Sequence, residues 1–157
     1  GEALTANYQK MGVETRTIRI FNTYGPRMAP KDGRVIPNFF MQALQGQSLS
    51  IYGDGKQTRS LCYVTDMVAG MMALMESDVT DPVNIGNTNE MTVLKIGELI
   101  TELSESAGEL IFHELPENDP KLRQPDTSRA EELLGWKAKV SAEEGLKLTM
   151  EYFKTFL

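Results

Sequence analysis

Apolar residues recur along the chain at two different periods, and the alternation between them predicts its elements. Short runs of β-branched and aromatic residues read as strands at Thr17 to Phe21, Leu49 to Tyr52, Ser60 to Val64, Pro82 to Ile85 and Leu110 to His113. Between them, apolar residues repeat at three- and four-residue steps, the spacing of one helix face. Val35 to Gln45 presents Ile36, Phe39, Phe40, Ala43 and Leu44, with Pro37 suited to a first helical turn and Gly46 ending it. A helix from Asp66 to Glu76 takes Thr65 or Asp66 as its cap, and a further one follows a Thr92 cap with Val93, Ile96, Ile100 and Leu103 in phase, stopping at Gly108. Glu2 to Met11 reads as an opening helix that ends at Gly12 and has no capping side chain. Two helices finish the chain, each with a capping-box spacing, Ser128 with Glu131 and Ser141 with Glu144. The first ends at Gly135, and the second aligns Leu146, Met150, Phe153 and Leu157. Such alternation predicts an α/β layer with a small mixed subdomain.

The turns between these elements carry the candidate chemistry. Thr17 to Phe21 runs into Asn22, Gly25 and Pro26, and the cations Arg27, Lys31 and Arg34 follow before the next helix. Asn can satisfy local backbone groups, Gly supplies uncommon dihedrals, and Pro excludes a helix or ladder at that point. An α/β protein places a strand-to-loop passage of this kind at the carboxyl edge of its sheet to hold a phosphorylated ligand, although the same residues also make an ordinary surface turn. Gly53-Asp54-Gly55 is a second tight turn, and Pro116 to Pro125 is a polar, irregular loop containing Arg123.

Composition narrows the classes. With 157 residues, 41% of them hydrophobic, the chain is large enough for one domain with a substantial core. No apolar run approaches the roughly 20 residues of a membrane-spanning helix, and no signal peptide is evident. A net charge of −6 argues against a nucleic-acid surface, while leaving single arginines available to a small anion. Cys62 is the only cysteine and His113 the only histidine, so no disulfide framework and no cluster with metal-ligand spacing is expected. A reducing, cytoplasmic compartment fits this cysteine usage. Met67, Met71, Met72 and Met75, among nine methionines, fall at helical spacing and read as core filler.

Five motifs in order carry a family resemblance: RIFNTYGPRM at Arg19 to Met28, DGRVIPNF at Asp32 to Phe39, IYGDGKQTRSLCYVTD at Ile51 to Asp66, VNIGN at Val83 to Asn87 and DPKLRQPD at Asp119 to Asp126. Together they resemble the extended short-chain dehydrogenases/reductases acting on nucleotide sugars, and within them the UDP-glucuronic acid decarboxylases. In that family a Tyr-x-x-x-Lys catalytic pair precedes the position matching Gly1, and the Gly-rich NAD-binding turn lies far upstream. The resemblance thus implies the carboxyl-terminal part of a Rossmann-type enzyme, with its small mixed α/β substrate-binding subdomain and without most of the NAD-binding portion. Alone it is expected to be inactive, and the complete enzyme is expected to be a homodimer.

The same resemblance assigns roles residue by residue. Arg59 and Arg123 match the arginines that grip the diphosphate of a UDP-sugar. Asn22 matches a residue that hydrogen-bonds the substrate, Thr23 one near the nicotinamide end of NAD, and Tyr8 a substrate-side tyrosine. Tyr52 and Gln57 fall where the family approaches the nucleoside, although Tyr52 reads equally well as a core strand residue. Arg34 matches an arginine close to both the cofactor and the sugar carboxylate, and is the candidate catalytic residue. Nucleotide-sugar 4,6-dehydratases or 4-epimerases, and a non-catalytic UDP-sugar-binding module, remain alternative readings.

Overall fold

The computed structural model describes residues 1–114 and 124–157. Its elements follow the predicted alternation: α1 (Glu2–Lys10), β1 (Ile18–Ile20), β2 (Thr23–Tyr24), α2 (Val35–Leu44), β3 (Leu49–Tyr52), β4 (Thr58–Ser60), β5 (Cys62–Tyr63), α3 (Val64–Glu76), β6 (Val83–Ile85), β7 (Glu90–Thr92), α4 (Val93–Ser104), β8 (Leu110–His113), α5 (Ser128–Leu134) and α6 (Ala142–Phe153). Three strand pairs are parallel, β1 with β6, β2 with β5 and β3 with β8, and β4 pairs with β7 antiparallel. Parallel neighbours need long crossovers, and helices supply them here: α2 lies between β2 and β5, α2 and α3 between β1 and β6, and α3 and α4 between β3 and β8.

Two apolar cores result. Around β3, α2, α4 and α6 lie Phe39, Phe40, Leu49, Ile51, Ile96, Ile100, Leu146, Met150 and Phe153, with Phe40 stacked on Phe153 at 5.3 Å between ring centroids. The second gathers Cys62, Met67, Leu74, Val83, Ile85, Ala130 and Trp136 between β6, α3 and α5. Both demand close backbone approach. A Cβ on Gly145 of α6 would overlap the Tyr24 hydroxyl oxygen, and one on Gly70 of α3 would lie 2.6 Å from Ile85 and 2.9 Å from Trp136.

Several local readings give way to tertiary contacts. Asp66 does not cap α3, which begins two residues earlier with Tyr63 at its N-cap. Its carboxylate is buried and accepts the backbone N–H groups of Lys139 and Val140, each at 2.8 Å, while its carbonyl accepts the indole N–H of Trp136. Ser128 does not close a capping box either: Thr127 is the N-cap of α5, and Ser128 donates both its N–H and its hydroxyl to Asp126 Oδ1. Thr92 and Ser141 cap as expected, accepting the N–H of Lys95 and Glu144. Helix α4 stops at Glu105, in the left-handed region at φ 52°, before Gly108. The Ser60 to Val64 run divides into β4 and β5, because Leu61 and Cys62 are held by partners on different elements. Leu157 is exposed rather than aligned with the buried Leu146, Met150 and Phe153. Of the four methionines on α3 only Met67 is buried; Met71, Met72 and Met75, with Val68, form an exposed apolar face.

Candidate functional site

Two groups of expected ligand residues are assembled, each at the carboxyl end of a parallel strand pair. This is where open α/β sheets hold ligands, because the loops leaving the strands converge there.

The first lies beyond β1 and β6. Past the strand end, the Phe21 N–H still donates to the Ile85 carbonyl at 3.1 Å, and the Asn22 carbonyl accepts the N–H of Cys62 at 2.8 Å, so the Asn22 backbone is clamped between β6 and β5. Its side-chain Nδ2 is buried and, among the described residues, has no hydrogen-bond partner. An unsatisfied buried amide costs on the order of 1–3 kcal/mol, which a ligand acceptor would recover. Thr23 is half-buried in β2, and its hydroxyl donates to the Phe21 carbonyl at 2.8 Å. Both residues therefore shape the turn that follows β1.

Asn87, which follows β6, was not singled out from the sequence. Its buried amide donates to the Leu61 carbonyl at 3.0 Å and its Oδ1 accepts the Asn89 N–H at 2.9 Å. Leu61 and Cys62 are thus tied to both strand ends of the first group. The VNIGN motif was the available signal, but only the fold says what its last Asn touches.

The second group lies beyond β3 and β8. Register pairs Tyr52 with His113 at the last position of both strands, and their rings sit 5.7 Å apart, tilted by 39°. Tyr52 is 47% exposed, which removes its alternative reading as a core residue. The Gln57 amide donates to the Tyr52 carbonyl at 2.8 Å and closes the Gly53-Asp54-Gly55 turn. Two residues on, in β4, Arg59 donates from Nη1 to the Thr58 carbonyl at 2.8 Å. Gln57 and Arg59 share one side of the extended chain, because side chains alternate along a strand. Arg59 and Tyr52 therefore belong to one ribbon, tied into the fold by β3–β8 on one side and β4–β7 on the other.

Other expected residues stand apart. Arg34 is the exposed N-cap of α2, and its guanidinium makes a bidentate ion pair with Asp32, with Nη2 donating to Oδ2 at 2.7 Å. The hydrogen bond from Arg34 holds the Asp32 carboxyl below the ordinary carboxylate range. Tyr8 lies on α1, none of whose residues is buried, and that helix is joined to β1 by a bidentate Arg19–Glu2 pair. Arg123 lies outside the described residues. Burial pushes the Cys62 thiol up to about 12, the behaviour of an inert core thiol. Among the described residues no cluster of His, Cys, Asp and Glu could hold a metal ion, and no helix is long and apolar enough to cross a membrane.

Sequence and structure comparisons bear on this geometry. The profile of the GDP-mannose 4,6 dehydratase family matches residues 1–149. "UDP-glucuronic acid decarboxylase 1" of Xenopus tropicalis is 49% identical over 98% of this chain and 37% of its own length. "UDP-glucuronic acid decarboxylase 6" of Arabidopsis thaliana is also 49% identical, over 98% of this chain and 45% of its own length. Among solved structures, the UDP-glucose 4-epimerase of Thermotoga maritima with UDP-glucose superposes with a TM-score of 0.92 at 33% identity, over 99% of this chain and 50% of that one. The UDP-glucuronic acid 4-epimerase of Bacillus cereus, in complex with UDP-glucuronic acid and NAD, gives 0.90 at 29% identity over the same shares. The fold is thus that of the Rossmann-type extended short-chain dehydrogenases/reductases, as the motifs implied. The chain spans less than half the length of these two curated relatives.

Proposed function

The chain belongs to the GDP-mannose 4,6 dehydratase family, and from that premise we propose that it forms the sugar-nucleotide-binding, carboxyl-terminal portion of a UDP-glucuronate decarboxylase. One observation supports the reading beyond similarity: the Asn22 side-chain amide, buried and without a partner among the described residues, sits at the carboxyl edge of β1, where the Phe21 N–H and the Asn22 carbonyl are both hydrogen-bonded. A donor so placed suits a hydroxyl or carbonyl oxygen of a sugar.

Roles for the other residues follow from their chemistry. Arg59 supplies a guanidinium to the diphosphate, for which a permanently charged, two-pronged donor is well shaped. Arg123 is assigned the same work. Tyr52 and Gln57 receive the uridine, and Tyr8 approaches the sugar from α1. Arg34 orients the glucuronate carboxylate before carbon dioxide leaves. Because its guanidinium is bidentate with Asp32, a substrate carboxylate has to displace or share that partner. Thr23, which borders the turn that carries Asn22, fits the nicotinamide end of NAD, and Arg34 is assigned to the cofactor as well as to the carboxylate. When bound, that cofactor supplies the reversible oxidation of the sugar ring. This chain's part is to hold the sugar and its carboxylate against it. The complete enzyme is assigned to the cytoplasm as a homodimer.

Solved 4-epimerases of UDP-sugars favour a second reading, in which the fold is the same and the carboxylate is retained. Identities of 49% with decarboxylases against 29–33% with epimerases favour the first. The test is an NMR titration with UDP, UDP-glucuronate and then NAD. Saturable shifts at Arg59 are expected with both nucleotides, and shifts at the Asn22 side-chain amide and at Arg34 with UDP-glucuronate alone. Absence of any response to UDP-glucuronate would overturn the proposal. Complemented by the remaining portion of a relative, the chain should release carbon dioxide from UDP-glucuronate, and epimerised UDP-galacturonate as the product would select the second reading.

A further inference from the structure

The only histidine of the chain has no role in the reading above, yet it occupies a defined place. His113 ends β8, directly opposite Tyr52 at the end of β3, and the ring pair is exposed to solvent at the carboxyl edge. One step earlier in β3, Ile51 is completely buried, so Tyr52 projects from the opposite face of the strand, away from the core that Ile51 fills. The backbone beneath the two rings is clamped: the His113 carbonyl accepts the Gly53 N–H at 2.9 Å, and the Tyr52 carbonyl accepts the Gln57 amide at 2.8 Å. Two exposed aromatic rings, adjacent and tilted by 39° on a hydrogen-bonded backbone, offer two ring faces side by side. Arg59 follows Gln57 on the same side of the ribbon, roughly 7 Å further along an extended chain.

Resting on the nucleotide-binding reading, we propose that His113 and Tyr52 together form the stacking platform for the base of a nucleoside diphosphate, with His113 as a nucleoside-binding residue. The chemistry matches. Stacking a base on an aromatic side chain contributes about 1–3 kcal/mol and needs no hydrogen-bond readout. An adjacent guanidinium then meets the diphosphate that the base carries. Imidazole and phenol both tolerate water on their rims while offering a face to the base, so the exposed pair needs no apolar cover when empty.

The test separates the base from the phosphates. Dissociation constants of uridine, UDP and pyrophosphate for the full chain are measured by NMR, following the His113 Cε1–H and Cδ2–H resonances. Uridine should shift both resonances. His113→Ala should weaken uridine and UDP binding about ten-fold, within the range a lost stack allows, and leave pyrophosphate unchanged. His113→Phe, which keeps a ring face, should restore most of the affinity, whereas a purely structural histidine would not be rescued by an apolar ring. If UDP binds with shifts at Arg59 but His113 stays silent, or if His113→Ala binds uridine like the parent chain, the platform is refuted and the wider nucleotide reading stands. If neither uridine nor UDP binds, both are overturned.

Discussion

Replacing Asp66 by alanine should remove about 2–4 kcal/mol of stability. The carboxylate belongs to a residue only 8% exposed, and its Oδ2 accepts two backbone N–H groups, Lys139 and Val140, each at 2.8 Å. These bonds join the first turn of α3 to the segment that leads into α6, 73 and 74 residues away. Alanine leaves both donors without a partner, at about 1–3 kcal/mol for each one kept from water. Lys139 is exposed and Val140 half-buried, so partial hydration keeps the sum below the upper limit. The bond from the Trp136 indole to the Asp66 carbonyl involves backbone and survives the change. Domains of this size are stable by only about 5–15 kcal/mol, so the loss is a large fraction. Urea denaturation followed by Trp136 fluorescence should show it as a midpoint lowered by about 1–2 M at unchanged slope. Asp66→Asn keeps an oxygen acceptor for the two N–H groups and should cost about 1 kcal/mol. If Asn were as damaging as Ala, the charge and not the hydrogen bonds would be responsible. If Ala cost under about 0.5 kcal/mol, the bridge would carry no load and the argument would fail.

Gly145→Ala should destabilise by about 1–3 kcal/mol despite alanine's better helix propensity, because the new methyl group meets the Tyr24 hydroxyl and ring. In a Tyr24→Phe background the nearest obstructing atom is gone, so thermal denaturation of the double variant should show a smaller penalty. The Cys62 thiol should resist alkylation at pH 8 in the folded chain and react once urea unfolds it; because burial raises it to about 12 from an unfolded value near 9, the folded state keeps its proton, and its contribution to stability is complete below pH 9 and lost as pH rises towards 12. Asp32 is shifted the opposite way by Arg34, so its contribution is present above the ordinary value of 3.8 and lost only as pH falls below it; carbon-detected NMR should place its midpoint under 3.8, and Arg34→Ala should return it to that value. Arg59→Ala should weaken UDP by roughly ten-fold or more through loss of a charge-assisted contact, with a much smaller effect on uridine, read by calorimetry.

The order and type of the elements were legible in the residues because periodicity is a local property. Ile36, Phe39, Phe40 and Ala43 must share a helix face whatever they pack against, and all four are buried on one. Likewise, Thr92 and Ser141 cap because the donor they satisfy is three residues away. The ordered motifs also carried the family, since they mark turns whose residues determine what the backbone can do.

What required the tertiary structure was every contact whose partner is distant in the chain. Asp66 has the residue type and spacing of a cap, yet its carboxylate accepts backbone N–H groups 73 and 74 residues away. Met71, Met72 and Met75 have the spacing of core residues and are exposed, because a helix pattern specifies a face and not what covers it. Tyr52 reads as a core strand residue from its pattern alone, and the fold places it exposed at a strand end beside His113. The β3–β8 register depends on the packing of α2, α4 and α6 around β3, to which no local spacing refers. Composition and periodicity determined a mixed α/β chain with arginines suited to a small anion. Only the fold decided which strand ends meet, and so which of those side chains can act on one ligand.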